Sequence, residues 1–279
     1  MSAAANDQPF LNRLVGPLVL VGAGKMGSAM LEGWLAGGLD PAKIAVIEPD
    51  PSPETVAHTL RGLSLNAELR GPAAAIVIAV KPQIAPDVTP KLATLIDGET
   101  LIVSIMAGRT LAFLERSLPA NTAIVRAMPN TPAAVGRGIT VAVANGHVTK
   151  AQRDTAHALL SAMGAVEWVT DEGLMDAATA VSGSGPAYVF LLAESLARAG
   201  AAAGLPTRLA ERLARATVAG AGELLHRSPL DAARLRVNVT SPGGTTAAAL
   251  EVLMDHNGLN PLIEKAVAAA ARRSQELAN

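Results

Sequence analysis

Three groups of residues in this chain are spaced to do chemistry. The first is Gly22-Ala-Gly24-Lys-Met-Gly27, which follows the apolar run Leu18–Val21 and opens a helical stretch. In such a loop the first glycine permits a tight turn and the second lets backbone approach a pyrophosphate, which rests on the positive end of the helix. The third packs helix against strand. Glycines also occur in unrelated turns, so the pattern takes its meaning from the strand before it and the helix after it. The second is Glu48, which closes the run Ile44–Ile47 and follows Gly27 by 21 residues. An acid there accepts hydrogen bonds from the adenosine ribose and repels a 2′-phosphate, which leans the site toward NADH. The plainer reading is an acidic turn shaped by Pro49 and Pro51, with Ser52 left to meet a phosphate. The third is Ser241-Pro-Gly-Gly-Thr-Thr246. Ser241 is expected to cap a helix that begins at Pro242, with the amides around Gly243 and Gly244 bared toward a carboxylate or phosphate. A capped helix with glycines fitted to tight packing explains the same residues.

Two weaker features accompany these. Val80-Lys81-Pro82 and Met128-Pro-Asn-Thr-Pro132 each follow an apolar run, where the ligands of parallel sheets bind. By residue type alone, Lys81 is a surface lysine and Pro82 a helix starter. Other chemistries drop out. There is no cysteine, hence no disulfide, thiolate metal site or cysteine nucleophile. The five histidines show no ligand-like spacing, and no metal is expected. Ser182-Gly-Ser-Gly-Pro186 lacks the spacing of a nucleophile elbow, and Lys25 is followed by Met26, not by the hydroxyl residue of a P-loop. With 23 basic against 24 acidic residues the chain has no charge excess for nucleic acid. The longest apolar run, residues 73–80, is far short of a membrane span, and the first sixteen residues do not read as a secretory signal. A cytoplasmic protein is expected.

The elements that must position these groups divide the chain in two. Through residue 171, short β-branched runs alternate with helical stretches. The runs are Leu18–Val21, Ile44–Ile47, Ile76–Val80, Leu101–Val103, Ile124–Val125, Ile139–Val143 and Val166–Val169, with Ser28–Leu35 and Ile84–Leu95 among the helical stretches. Runs that are apolar throughout suit strands covered on both faces, so the reading is an α/β doubly wound parallel sheet. After Asp171 every long segment has helical character. Leu209, Leu213, Ala216, Gly220 and Leu224 mark one face of a helix. The expected domains are 1–171, with 1–16 a loose tail, and an all-helical 172–279. Charged residues are only 17% of the chain, which points to surface buried between subunits.

Taken together, Gly22–Gly27, Ala79–Pro82, Met128–Pro132, Asp176-Ala-Ala-Thr-Ala-Val-Ser-Gly-Ser-Gly-Pro-Ala-Tyr188 and Val239–Thr246 resemble the pyrroline-5-carboxylate reductases, over nearly the whole chain. The resemblance implies a Rossmann-like domain followed by an all-α dimerisation domain, a homodimer with room for a higher oligomer, and NADH or NADPH as cofactor. It implies that Gly22, Ala23, Gly24, Lys25 and Met26 hold the pyrophosphate, and that Val80, Lys81 and Pro82 line the cofactor cleft. Asn66 matches an asparagine at the adenosine end, and Ala107 and Gly108 a loop near the nicotinamide. Glu172, Asn238, Thr245 and Thr246 match substrate positions, with Asn238 reaching across the dimer and counted with the cofactor residues as well, and the bared amides of Gly243 and Gly244 are expected to take the substrate carboxylate. Two departures stand out. Glu48 replaces the serine or arginine of many relatives, and Ile105 and Met106 replace smaller residues near the nicotinamide.

The implied reaction is hydride transfer to a cyclic imine, giving L-proline in the last step of its biosynthesis. Thr246 would act as the catalytic hydroxyl, bonded to the ring nitrogen. Two rivals share the architecture: a reductase of another cyclic imine or a β-hydroxy acid, and a non-catalytic dinucleotide-binding dimer. The glycine loop with Thr246 favours the first reading over both.

Overall fold

A computed structural model describes Leu11 and residues 14–278. One sheet holds β1 (Leu18–Val21), β2 (Ile44–Ile47), β3 (Ser64–Leu65), β4 (Ala75–Ile78), β5 (Leu101–Ser104), β6 (Ala123–Met128), β7 (Gly138–Ala144) and β8 (Gly164–Trp168). Its order is β3-β2-β1-β4-β5-β6-β7-β8. The apolar runs are strands because both faces are covered. Leu18 and Leu20 enter one core while Val19 and Val21 enter the other, and β4 divides in the same way between Ala75/Val77 and Ile76/Ile78. Helices α1 (Lys25–Ala36), α2 (Leu111–Ser117) and α3 (Lys150–Ser161) accompany the sheet. The fully buried Trp34 on α1 donates its indole N–H to the Leu159 carbonyl on α3 at 2.8 Å, so its polar atom is satisfied inside the core.

Several expectations need correction. The sheet is not wholly parallel: β6 and β7 pair antiparallel. The nine residues between them are too few for a crossover helix, so the chain turns back on itself. Asn130 closes that turn, its Oδ1 accepting the Ile139 N–H at 3.0 Å. Residues 82–95 are not one helix but short turns, Pro82–Ile84, Ala85–Val88 and Thr89–Leu95. Pro82, Pro86 and Pro90 recur every fourth residue and remove the donors a continuous ladder needs. The two-residue β3 has no counterpart in the sequence reading. Of the expected loose tail, residues 1–10, 12 and 13 lie outside the described residues. Leu11 is instead fully buried, and Leu14 packs on the same core.

The described residues form two compact units, one up to Gly183 together with those from Ala271 onward, the other Ser184–Ala270. By packing within the chain, the break follows Gly183. Residues 172–183 stay with the sheet because Arg126 holds Glu172 and Ser274 donates to Asp176 at 2.6 Å. The second unit holds α4 (Gly185–Ala202), α5 (Thr207–Arg227), α6 (Ala232–Asn238), α7 (Thr245–Leu253) and the first part of α8 (Leu259–Ala278). Within it, α5 packs on α4 through Ala210. The apolar stripe of α5 points elsewhere: Leu213 and Leu224 are 48% and 53% exposed.

Candidate active site

The glycine loop joins β1 to α1 beside the point where strand order reverses, β2 lying on one side of β1 and β4 on the other. Gly22 is obligatory. Its φ is +93°, and a Cβ there would stand 2.8 Å from the Ala79 carbonyl oxygen. A Cβ on Gly27 would run into the Gly22 carbonyl, so the close approach of α1 to the loop depends on both. Gly24 differs: it is exposed, with open space where a Cβ would be, and it starts α1 without any side-chain cap. First-turn amides without a partner beside an open glycine fit a pyrophosphate.

Glu48 turns its carboxylate toward this loop. Oε2 accepts the Ala23 N–H at 2.7 Å and Oε1 accepts the Asp50 N–H at 3.0 Å. The Ala23 amide, expected to face the pyrophosphate, is therefore spent on Glu48. Asn66 lies alongside, its side chain bonded to the Glu48 backbone at both ends.

The remaining expected cofactor residues follow β4 and β5. Val80, Lys81 and Pro82 leave the end of β4, and the Pro82 carbonyl accepts two N–H bonds from Arg109, at 2.6 and 3.0 Å. Arg109 also stacks over Phe113 at 4.6 Å. Gly108 takes φ +70° and lies against the backbone of Leu277, while Ala107 beside it is exposed. Ile105 and Met106 send their bulk inward, one against each core.

Glu172, expected to meet substrate, is already engaged. Its Oε1 takes the Arg126 guanidinium at 2.6 Å and the Leu111 N–H at 2.8 Å. Arg126 was absent from the sequence reading. It lies on β6 with only 6% of its side chain exposed, and an arginine inside an apolar strand was the available signal, since a buried charge needs a partner. Asn130, on the loop after β6, bridges to the Ser182 carbonyl as well as to Ile139.

In the helical unit, Ser241 does not cap a helix from Pro242. Residues 241–244 form a turn closed by the Gly244 N–H on the Ser241 carbonyl at 3.0 Å, and α7 begins at Thr245 with Gly244 as its cap. The turn comes first because Gly243 takes φ +69°, which a helix cannot hold. Thr245 and Thr246 are thus first-turn residues, and Asn238 ends α6 exposed.

A glycine loop at the reversal point of an open sheet, with an acid at the end of the next strand, defines a dinucleotide-binding α/β protein. Residues 17–108 match a family profile described as NADP oxidoreductase coenzyme F420-dependent, and residues 172–277 match pyrroline-5-carboxylate reductase dimerisation. The pyrroline-5-carboxylate reductase of Pseudomonas aeruginosa is 41% identical over 266 residues, 94% of this chain and 96% of that protein. That of Mycobacterium tuberculosis is 40% identical, over 93% and 96%. Among solved structures, the Coxiella burnetii enzyme superposes with TM-score 0.87 at 35% identity, covering 95% of this chain and 99% of that one. A Plasmodium falciparum pyrroline carboxylate reductase with NADP bound gives 0.79 at 30%, with the same coverage. The chain belongs to the pyrroline-5-carboxylate reductase family.

Proposed function

We propose that this protein reduces L-1-pyrroline-5-carboxylate to L-proline with NADH or NADPH, the last step of proline biosynthesis. The observation that carries the reading is roughly 40% identity to pyrroline-5-carboxylate reductases along nearly the whole chain, glycine loop and Gly243–Thr246 turn included. The dihydronicotinamide supplies the hydride, so the protein's task is to bind, orient and exclude water. Gly24, Lys25 and Met26 present the pyrophosphate cradle, and Gly22, whose own N–H goes to the Ile47 carbonyl at 2.9 Å, sets the turn before them. Val80, Lys81 and Pro82 line the cleft, held by the Arg109 grip on the Pro82 carbonyl. Ala107 and Gly108 close the loop after β5. On the substrate side, the bared first-turn amides of α7 suit a carboxylate, and Gly243 and Gly244 let it approach. Thr245 and Asn238 flank it. The Thr246 hydroxyl donates toward or accepts from the ring nitrogen and favours the electrophilic imine. Glu172, tied to Arg126 and to the Leu111 N–H, acts as a fixed carboxylate, not as a mobile proton donor.

The active form is a homodimer built through the helical unit, whose apolar α5 stripe is left uncovered within one chain. A cytoplasmic location goes with this reading, beside the dinucleotide pool the enzyme draws on. No helix among the described residues is long and apolar enough to cross a membrane. The test is steady-state turnover of L-1-pyrroline-5-carboxylate with each dinucleotide, in the unmodified chain and in Thr246→Val. Loss of about 10- to 1,000-fold in kcat/KM is expected from the lost hydroxyl. Absence of proline formation with either dinucleotide overturns the reading, and full activity in Thr246→Val removes Thr246 from the chemistry.

A further inference from the structure

Glu48 is held unusually firmly for a side chain at a strand end. Both carboxylate oxygens are tied to backbone amides, Oε2 to Ala23 at 2.7 Å and Oε1 to Asp50 at 3.0 Å. Its backbone is gripped from the other side. The Asn66 Oδ1 accepts the Glu48 N–H at 2.9 Å, and the Asn66 Nδ2 donates to the Glu48 carbonyl at 2.7 Å. Asn66 is itself fixed: its N–H donates to the Val46 carbonyl on β2 at 2.9 Å, and its φ of +51° lies in the left-handed region. Asparagine tolerates that region better than most residues.

We propose that Glu48, locked in place by Asn66, selects NADH over NADPH, with Asn66 as a positioning residue that acts through Glu48. The inference rests on the reading above that the glycine loop holds a nicotinamide dinucleotide. A free carboxylate facing a 2′-phosphate would rotate away and shed the repulsion. This one must first surrender two backbone hydrogen bonds. No lysine or arginine stands between Glu48 and Glu54 in the chain to offset the charge from the same loop. The one hydroxyl in that stretch, Ser52, is pinned at the start of a short helix, where its oxygen accepts the Thr55 N–H at 3.2 Å. A ribose 2′-hydroxyl meets the same carboxylate as a hydrogen-bond donor. The asparagine that family resemblance assigns to the adenosine end thus works one step removed, on the acid and not on the cofactor.

The test is equilibrium binding of NADH and of NADPH to the full chain, followed by the change in nicotinamide fluorescence at fixed ionic strength. The unmodified protein is expected to bind NADH about tenfold to a hundredfold more tightly. Glu48→Gln keeps the shape and removes the charge, and should bring the two affinities within about threefold of each other. Asn66→Gly keeps the left-handed backbone and removes the grip. It should shrink the ratio mainly by improving NADPH, because a Glu48 backbone free to shift can carry the carboxylate off the Ala23 and Asp50 amides. A purely structural role for Asn66 would weaken both dinucleotides together and leave the ratio intact, and that result overturns the lock. Equal or tighter binding of NADPH by the unmodified chain overturns the selection. Failure to bind either dinucleotide overturns the cofactor reading, and this inference with it.

Discussion

The two units of this molecule treat the same kind of residue in opposite ways. In the sheet unit, Leu, Val and Ile from successive strand positions alternate between two cores and vanish from the surface. In the helical unit, only Ala210 and Ala214 are buried among the described residues 184–270, while Phe190, Leu213, Leu224 and Val252 remain largely exposed. A strand that is apolar throughout carries its own instruction, since each face must be covered and the crossover helices supply the cover. A helix with an apolar stripe says only that something must lie against it. In this chain the sheet unit completes itself, while the helical unit, which matches a dimerisation family, leaves its stripe uncovered.

The sharpest way to break this contrast is to charge the stripe of α5. Each leucine is about half exposed in one chain, so Leu213→Glu with Leu224→Glu removes about 0.8–1.5 kcal/mol of burial at each of the four leucines of a dimer, and self-association should weaken roughly 10²- to 10⁴-fold. Sedimentation equilibrium reads this directly, and an unchanged dimer would show that the stripe faces no partner. A change inside the sheet unit should behave differently. Glu172→Ala leaves the buried Arg126 unpaired at about 2–3 kcal/mol, lowering Tm by about 5–10 °C at every protein concentration. A shift that grows on dilution would tie this ion pair to assembly instead. The smallest effect belongs to the sheet unit's surface. The Glu99 N–H, and then the Thr100 side chain, hold the Asp97 carboxyl below the usual aspartate range. A depressed folded value means that its contribution is present above the unfolded value and lost as pH falls through the folded one. Asp97→Asn should therefore flatten a slight loss of stability below about pH 4. Denaturant midpoints for both proteins at pH 5 and pH 3 measure the difference, and parallel slopes would remove Asp97 from the acid response.

Legibility in the sequence followed the same division. β1 and β2 were readable to the residue because burial on both faces leaves an unbroken apolar run. The reversal between β6 and β7 was not, since strand direction lives in the length of a connection and not in hydropathy. The turns of 82–95 were masked by an apolar pattern that three prolines override. At the site, spacing found Glu48 but none of its bonds. Side-chain contacts to backbone across 18 or 25 residues leave no periodic trace. Ser241 was misread because a serine before proline looks like a cap, while the left-handed Gly243 that forbids it has no sequence signature beyond being glycine. Arg126 was visible as an odd charge, yet its partner Glu172, 46 residues on, was not.

Trp34 and Trp168, the chain's two tryptophans, both lie in the sheet unit. Trp34 is sealed in the core with its indole bonded to Leu159, and Trp168 donates to His157 at 3.3 Å beneath the Arg153 guanidinium. The helical unit holds no indole at all, only Tyr188 and Phe190. Emission excited at wavelengths that tyrosine does not absorb therefore watches one half of the molecule, while far-ultraviolet circular dichroism weighs the helices of both. A single urea titration recorded in the two channels separates the sheet unit's unfolding from that of the whole molecule without any label.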